Sequence, residues 1–140
     1  MFLPDVNVWV AVAFDRHIHH HVAKTWFDAR TDGECAFCRI TQMAFLRLAT
    51  NPKVLQAEAL TLAGAWRVYD LLLGDTRVSF SDEPAAVDPL WRSQTQASVR
   101  SPKVWTDAYL AAFAAAAGFN LATFDRGFSQ YTGVLCTILA

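Results

Sequence analysis

An alanine-rich stretch at residues 102–128 limits the possible folds of this chain more than any other part of it, and it contains only two acidic side chains. Its first part predicts a helix that carries Asp107 on its first turn and ends at Gly118, because alanine favours helix and glycine is common just past a helix end. No residue between Asp107 and Asp125 is charged, so this helix is apolar nearly all round. Such a helix must be packed on both sides, and a lone carboxylate on it calls for a functional explanation.

Strand and helix patterns alternate along the rest of the chain. Short apolar runs predict strands at residues 1–5, 35–38, 77–80, 121–124 and 134–139. Helical spacing predicts helices at residues 8–14, 15–29, 40–49, 56–73 and 87–97. This alternation, with no hairpin turn and no internal repeat, predicts an α/β fold in which a mostly parallel sheet has helices on both faces.

The helix predicted at residues 56–73 carries a regular apolar stripe. Its large side chains recur at steps of three and four residues, which places them on one helix face. We interpret that face as core packing rather than a site, and it comprises Ala59, Leu62, Trp66, Tyr69 and Leu73.

Length and composition predict one domain over residues 1–140. A chain of 140 residues that is 54% hydrophobic can bury a single large core. The formal net charge of −1 provides no general basic excess for a nucleic-acid partner. A polyanionic substrate would therefore depend on local Arg and Lys side chains or on a metal ion.

The three cysteines do not form a clear metal or redox motif. Cys35 and Cys38 have a C-x-x-C spacing, but a zinc site needs a second pair, and a thioredoxin-like motif needs to begin a helix. We interpret them as small buried hydrophobic residues in a reducing compartment. With no signal sequence and no apolar run of about 18 residues, the sequence predicts a cytoplasmic protein without a membrane partner.

Three aspartates occupy positions that a parallel sheet would bring together. Asp5 ends the first predicted strand, Asp125 ends the fourth, and Asp107 lies on the first turn of the alanine-rich helix. Ligands of open α/β sheets bind at the carboxyl edge of the strands, where these acids are expected to meet. Gathered carboxylates repel one another unless a cation neutralises them, and hard oxygen ligands suit Mg²⁺ or Mn²⁺. The three acids together therefore predict a metal site that can activate water and bind a phosphate.

Each aspartate taken singly has an ordinary structural explanation. Asp107 lies where the helix macrodipole favours an acid, and Asp5 is a suitable cap for the helix that follows it. Asp125 precedes Arg-Gly and is typical of a turn. Only the combination of the three favours a functional site.

The same residues resemble the acidic motifs of PIN-domain ribonucleases, and more narrowly those of the VapC toxins of bacterial toxin–antitoxin pairs. The motifs are Leu3-Pro-Asp5-Val-Asn7, Thr106-Asp107-Ala-Tyr-Leu-Ala-Ala and Leu121-Ala-Thr-Phe-Asp125-Arg-Gly-Phe128. The similarity spans nearly the whole chain, and the ordered trio is more specific than any single motif. It implies a PIN-like domain and a metal-dependent endoribonuclease that cuts RNA, is silenced by an antitoxin protein bound over its site and often forms a homodimer.

The resemblance also implies a role for each site residue. Asp5 and Asp107 would be the principal Mg²⁺ ligands, and Asp125 would be a third acid that acts directly or through water. Asn7 and Thr123 would orient those carboxylates. The alternatives for these two residues are helix capping for Asn7 and strand packing for Thr123.

One position departs from the family pattern. The family usually has a glutamate in the helix after the second strand, and Gln42 is the residue that aligns there. An amide supplies no negative charge, although its carbonyl can accept from a metal-bound water. This departure predicts weaker metal binding, or one metal ion rather than two.

Arg47 and Arg126 are candidates to bind RNA phosphates beside the acids, and Lys103 is a weaker one. Arg47 has an alternative role at an antitoxin or dimer surface. An alternative function keeps the fold without the chemistry, as a non-catalytic binding module in which Gln42 marks the lost activity. A third alternative is a carboxylate–metal phosphatase or a DNA nuclease.

Overall fold

The computed structural model describes residues 1–140, and its centre is a five-stranded sheet in the order β3-β2-β1-β4-β5. All four strand pairs are parallel, as the alternating pattern predicted. The strands are β1 Phe2–Pro4, β2 Cys35–Phe37, β3 Val78–Phe80, β4 Asn120–Thr123 and β5 Leu135–Ile138.

Helices connect the strands. They are α1 Val6–Ala13, α2 His20–Asp28, α3 Arg39–Ala49, α4 Pro52–Leu55, α5 Leu62–Leu73, α6 Val87–Gln94 and α7 Val104–Ala117, with short 3₁₀ helices at Gln56–Glu58 and Arg126–Gln130. The predicted α/β fold class is thereby confirmed. No helix of the chain has both the length and the apolar character needed to cross a lipid bilayer.

The apolar core consists of two clusters, and these cover the two faces of the sheet. The larger cluster joins α1, β2, α3 and α5, and in it the Trp9 ring stacks on Phe37 with 4.1 Å between centroids. The smaller cluster is built around α7 and includes Phe113 and Leu121. Helices on both faces of a parallel sheet are thus confirmed, which is the arrangement in which such sheets are found.

The alanine-rich segment forms α7 as predicted. Residues 110–114 of this helix are buried, so its apolar surface is covered nearly all round. Gly118 ends the helix in the left-handed conformation with φ of 69°, which glycine adopts without the steric cost that other residues meet.

The prediction for residues 56–73 was wrong at its start and on its buried face. The Thr61 hydroxyl accepts a hydrogen bond from the Gly64 N–H at 3.0 Å, and this cap makes α5 begin at Leu62. Leu62 and Trp66 are 78% and 49% exposed, so they do not pack in the core. The rest of the predicted stripe does contact the core, since Tyr69 is buried and Ala59 and Leu73 are partly buried against the same cluster.

The strand order reverses direction at β1, which has β2 on one side and β4 on the other. The chain visits one half of the sheet in β1 to β3 and the other half in β4 and β5. In open α/β sheets this switch point leaves a crevice beyond the carboxyl ends of the strands. Asp5 directly follows β1, and Asp125 lies two residues after the end of β4.

Candidate functional site

Asp5 and Asp107 line the same cavity at this edge of the sheet. The cavity has a volume of about 260 Å³ and lies between the start of α1, one face of α3 and the first turns of α7. We call it the acidic cleft, and its lining residues are Asp5, Val6, Ile40, Thr41, Met43, Ala44, Arg47, Thr106, Asp107 and Leu110. The structure thus brings together two of the three predicted acids, from segments more than 100 residues apart in sequence.

Asp5 is fixed from two sides. Its Oδ1 accepts a hydrogen bond from the Val6 N–H at 2.7 Å, and its Oδ2 accepts one from the Thr123 hydroxyl at 3.0 Å. The first bond makes Asp5 the N-terminal cap of α1, as its position before the helix predicted. The second bond ties the carboxylate to β4. Asp5 therefore caps a helix and also lies at the candidate site.

Thr123 is the centre of a small polar network. Its side chain is fully buried, and its hydroxyl donates to Asp5 while accepting from the Asn7 amide at 3.3 Å and the Asp125 N–H at 3.0 Å. Asn7 also accepts from the Phe124 N–H at 3.4 Å. Buried polar groups need such partners, and this network orders the segments that carry Asp5 and Asp125.

Asp125 is exposed and does not line the acidic cleft. Its Oδ1 accepts from the Gly127 N–H at 2.8 Å, which caps the 3₁₀ helix Arg126–Gln130 and matches the turn explanation. Its charge still reaches the other two acids, because it contributes to raising the pKa of both Asp5 and Asp107. The third acid therefore lies beside the cleft.

Burial and repulsion from neighbouring acids raise the pKa values of Asp5 and Asp107. Burial raises the pKa of Asp5 to about 6 against the hydrogen bonds from Thr123 and Val6, and the charges of Asp107 and Asp125 add to the rise. The pKa of Asp107 is also raised, first by burial and then by Asp125. Such shifts are typical of functional carboxylates, and a cation placed between them would reverse the repulsion.

The donor set fits a small hard cation bound by few protein ligands. No three His, Cys, Asp or Glu side chains are arranged to hold one ion, whereas Asp5 and Asp107 face the same cleft. Mg²⁺ is commonly bound through one or two carboxylates, with waters and substrate phosphate completing its shell. Two carboxylates in a shared cleft therefore satisfy what such an ion requires from the protein.

Gln42 has no hydrogen bond to any of the three acids, and its partner is on its own helix. Gln42 is buried, its side-chain carbonyl accepts from the Arg39 guanidinium, and it does not line the acidic cleft. The α3 face toward the cleft instead carries Ala44, three residues before Arg47. A supporting role for Gln42 stays a prediction with no contact to support it.

Two arginines lie near the acids without an acidic partner. Arg47 is exposed and lines the cleft, and Arg126 is exposed directly after Asp125. Neither forms an ion pair, in contrast to Arg77, which pairs with Asp75 at 2.8 Å. Both positions are open to an anionic ligand. Lys103 lies at the N-terminus of α7, outside the cleft.

Tyr131 is a residue near the site that the sequence did not indicate. Its hydroxyl is buried without a hydrogen-bond partner, and burial raises its pKa, with further contributions from Asp107 and Asp125. In the sequence it is one tyrosine in a turn, so only the folded position places it beside the acids.

Comparison with known proteins identifies the family. The chain matches the PIN domain over residues 2–134. It belongs to the PIN-domain family. Ribonuclease VapC41 of Mycobacterium tuberculosis is 42% identical over 145 aligned positions, which cover 100% of this chain and 99% of the relative. Ribonuclease VapC38 of the same organism is 39% identical and covers 91% of this chain and 86% of the relative.

Solved structures show the same PIN fold. Mycobacterium tuberculosis VapC20, described as a sarcin–ricin loop cleaving toxin, has a TM-score of 0.69 at 17% identity and covers 96% of this chain and 99% of its own. VapBC2 from Rickettsia felis, bound to a promoter DNA fragment, has a TM-score of 0.66 at 13% identity. The match covers 99% of this chain and 98% of the Rickettsia chain. At these identities the likeness concerns the fold, and the family rests on the sequence matches. The resemblance to PIN-domain and VapC proteins is confirmed.

Proposed function

We propose that this PIN-domain protein is a metal-dependent endoribonuclease, the toxin of a toxin–antitoxin pair, that hydrolyses RNA phosphodiester bonds. The observation that carries the proposal is the shared cleft of Asp5 and Asp107 at the sheet switch point. Full-length similarity to proteins named ribonucleases supports the reaction class.

Asp5 and Asp107 would bind one Mg²⁺ or Mn²⁺ ion, and Asp125 would act on it directly or through water. Such an ion, when bound, supplies activation of a water molecule and polarisation of the phosphate. The Thr123 hydroxyl fixes the direction of the Asp5 carboxylate through a 3.0 Å hydrogen bond, and Asn7 fixes the hydroxyl in turn. This matches the general rule that outer hydrogen bonds orient metal ligands.

Arg47 and Arg126 would bind RNA phosphates on either side of the acids. Both are exposed and free of ion pairs, so no internal partner has to be displaced. Guanidinium groups suit phosphate because their parallel N–H groups match two phosphate oxygens. These two arginines would thereby provide the local positive charge for RNA that the overall net charge of −1 does not.

The proposed partners are RNA, a cognate antitoxin protein and a second copy of the chain, in the cytoplasm. Solved relatives described as toxin–antitoxin complexes support the antitoxin. Exposed Leu62 and Trp66, one turn apart on α5, support a homodimer.

The test is cleavage of RNA by the purified protein with Mg²⁺ or Mn²⁺ and with EDTA. Asp5→Asn and Asp107→Asn should each reduce the metal-dependent rate by at least about a hundredfold, because each removes a charged ligand of the ion that would stabilise the negative charge of the transition state. Asp15→Asn is the matched control, since Asp15 is exposed, has no ion pair and lies outside the cleft. Equal cleavage by all four proteins would identify a contaminating nuclease.

A binding module without activity is the second candidate, and Gln42, an amide where the family usually has a glutamate, favours it. The same assay separates the two functions. A module of this kind would leave RNA intact with either metal and would still bind the antitoxin. Parallel reactions with DNA and with phosphomonoesters test the remaining alternatives.

A further inference from the structure

A second and larger cavity lies beside the acidic cleft. Its volume is about 590 Å³, and it is bounded by the end of α6, residues 97–102, the first turn of α7 and the end of the 3₁₀ helix Arg126–Gln130. Pockets that hold small molecules or single ligand groups usually measure about 300 to 1,000 Å³. The size is therefore sufficient for one nucleotide unit.

The chemistry of this cavity differs from that of the acidic cleft. Arg100 is its only charged lining residue, and it forms no ion pair. Trp105, which is 56% exposed, and Tyr131 contribute aromatic rings to its wall. A cation together with an exposed ring is the combination that binds the phosphate and base of unpaired nucleic acid.

Two amides in the wall offer acceptors to a ligand. The Gln94 Nε2 donates to the Thr132 carbonyl at 2.7 Å, and the Gln130 Nε2 donates to the Gly127 carbonyl at 2.9 Å. Each amide is thereby anchored through its nitrogen, and its carbonyl oxygen remains available. Such fixed acceptors match the amino groups on nucleobase edges.

The unpartnered hydroxyl of Tyr131 is an independent observation that points to a polar ligand. The side chain is only 7% exposed and lines the cavity, yet its hydroxyl has no hydrogen-bond partner. A buried hydroxyl without a partner costs free energy, which a ligand able to bond to it would recover.

The two cavities are neighbours. Trp105 and Asp107 lie on the first turns of the same helix, and Tyr131 is close enough to Asp107 and Asp125 for their charges to affect it. A nucleotide in the second cavity would thus be next to the phosphodiester that reaches the acids.

We propose that this cavity is a nucleotide subsite, which takes one unpaired RNA nucleotide with its base against Trp105 and its phosphate at Arg100. This inference rests on the proposed ribonuclease function and deepens it, because it assigns selection of unpaired RNA to residues outside the acidic cleft. RNA is favoured over an antitoxin side chain because an unpaired base supplies both a ring for Trp105 and polar edges for Tyr131 and the amides.

The first test measures binding of a short fluorescein-labelled single-stranded RNA in EDTA, where metal-dependent cleavage does not interfere. Trp105→Ala should weaken binding by about 5- to 150-fold, which corresponds to the about 1 to 3 kcal/mol of one stacked base. Trp105→Phe should restore most of the affinity because it keeps a ring. Arg100→Gln should weaken binding and reduce its salt dependence, whereas Lys53→Gln, the same charge change at an exposed site outside the cavity, should not.

The second test separates ligand binding from a structural role. Tyr131→Phe removes a hydroxyl that has no partner in the free protein, so the melting temperature should stay equal or rise. RNA affinity should fall by about 2- to 12-fold, the value of one hydrogen bond. A residue with only a structural role would change stability and leave RNA affinity unaltered.

The outcomes also distinguish this inference from the proposed function. If Asp5-dependent cleavage occurs but Trp105→Ala and Tyr131→Phe bind RNA as tightly as wild type, the subsite is refuted and the nuclease stands. If cleavage fails while binding depends on Trp105 and Tyr131, the subsite stands on a non-catalytic protein. If the variants lose only antitoxin binding, the cavity is a protein contact and the inference fails.

Discussion

Asp5 combines a structural and a chemical role in one carboxylate. One oxygen caps α1 through the Val6 N–H, the other accepts from Thr123, and the residue lines the same cleft as Asp107. Helix caps are replaceable by other polar residues, whereas a metal ligand needs the charge. The two roles can therefore be separated by Asn, which keeps an acceptor for the cap and loses the charge.

Asp5→Asn should stabilise the metal-free protein in a pH-dependent way. Because the pKa of Asp5 is raised from 3.8 to about 6, the folded state binds more protons than the unfolded state between these values. The free energy of unfolding of wild type should therefore fall as pH rises from about 4 to about 6, by about 1 to 3 kcal/mol. Urea unfolding in EDTA should show equal stability of the two proteins below this range and a more stable variant above it. A difference that does not vary with pH would contradict the burial of this charge.

Thr123→Val should weaken metal binding and slow cleavage, although valine and threonine have nearly the same size and shape. The substitution keeps the shape but removes the hydroxyl that Asp5, Asn7 and the Asp125 N–H share. Loss of such an outer hydrogen bond typically costs about 10- to 100-fold in metal affinity or activity. Calorimetric Mn²⁺ titration and cleavage rates measure this, with Thr123→Ser as the control that retains the hydroxyl. Equal Mn²⁺ affinities of the Val and Ser variants would show that Thr123 contributes only strand packing.

At the scale of elements, the face that α3 turns to the acids decides how many charges the cleft contains. Residues at steps of three and four share a helix face, so Ile40, Ala44 and Arg47 line the cleft while Gln42 does not. The sequence located the helix correctly to within one residue, Arg39–Ala49 against the predicted 40–49. It did not determine which face meets α7, because the rotation of α3 depends on packing of buried residues such as Phe45.

Ala44→Glu should therefore add a third carboxylate to the cleft, and Gln42→Glu should not. We expect Ala44→Glu to tighten Mn²⁺ binding by about tenfold, because affinity for hard cations follows the number of charged ligands. Glu at position 42 would pair with Arg39, which already donates to the amide there. Mn²⁺ titration of both variants measures the difference, and tighter binding by Gln42→Glu would show that residue 42 reaches the ion.

At the scale of the whole molecule, the sequence was sufficient to predict the parallel sheet and the positions of the acids along it. It was not sufficient to predict which apolar side chains are exposed. Parallel strands and the positions of Asp5 and Asp125 follow from local apolar runs and from the rule that strand ends of one kind share an edge. The exposure of Leu62 and Trp66 could not be predicted, since apolar spacing marks a helix face without saying what covers it. The same limit applies to the second cavity, whose walls come from segments distant in sequence.

These exposed side chains lead to a prediction about assembly. Leu62 and Trp66 are one turn apart on α5, whereas Leu71 lies on the opposite side of that helix and is 76% exposed. If the chain forms a homodimer through α5, Leu62→Glu should shift it to monomer, because a buried unpaired charge opposes association. Leu71→Glu is the matched control and should leave the dimer intact. Both substitutions are at exposed positions, so the melting temperature of the monomer should hardly change. Sedimentation equilibrium measures the association, and a wild-type protein that is monomeric at all concentrations, or equal effects of the two variants, would exclude this face as the interface.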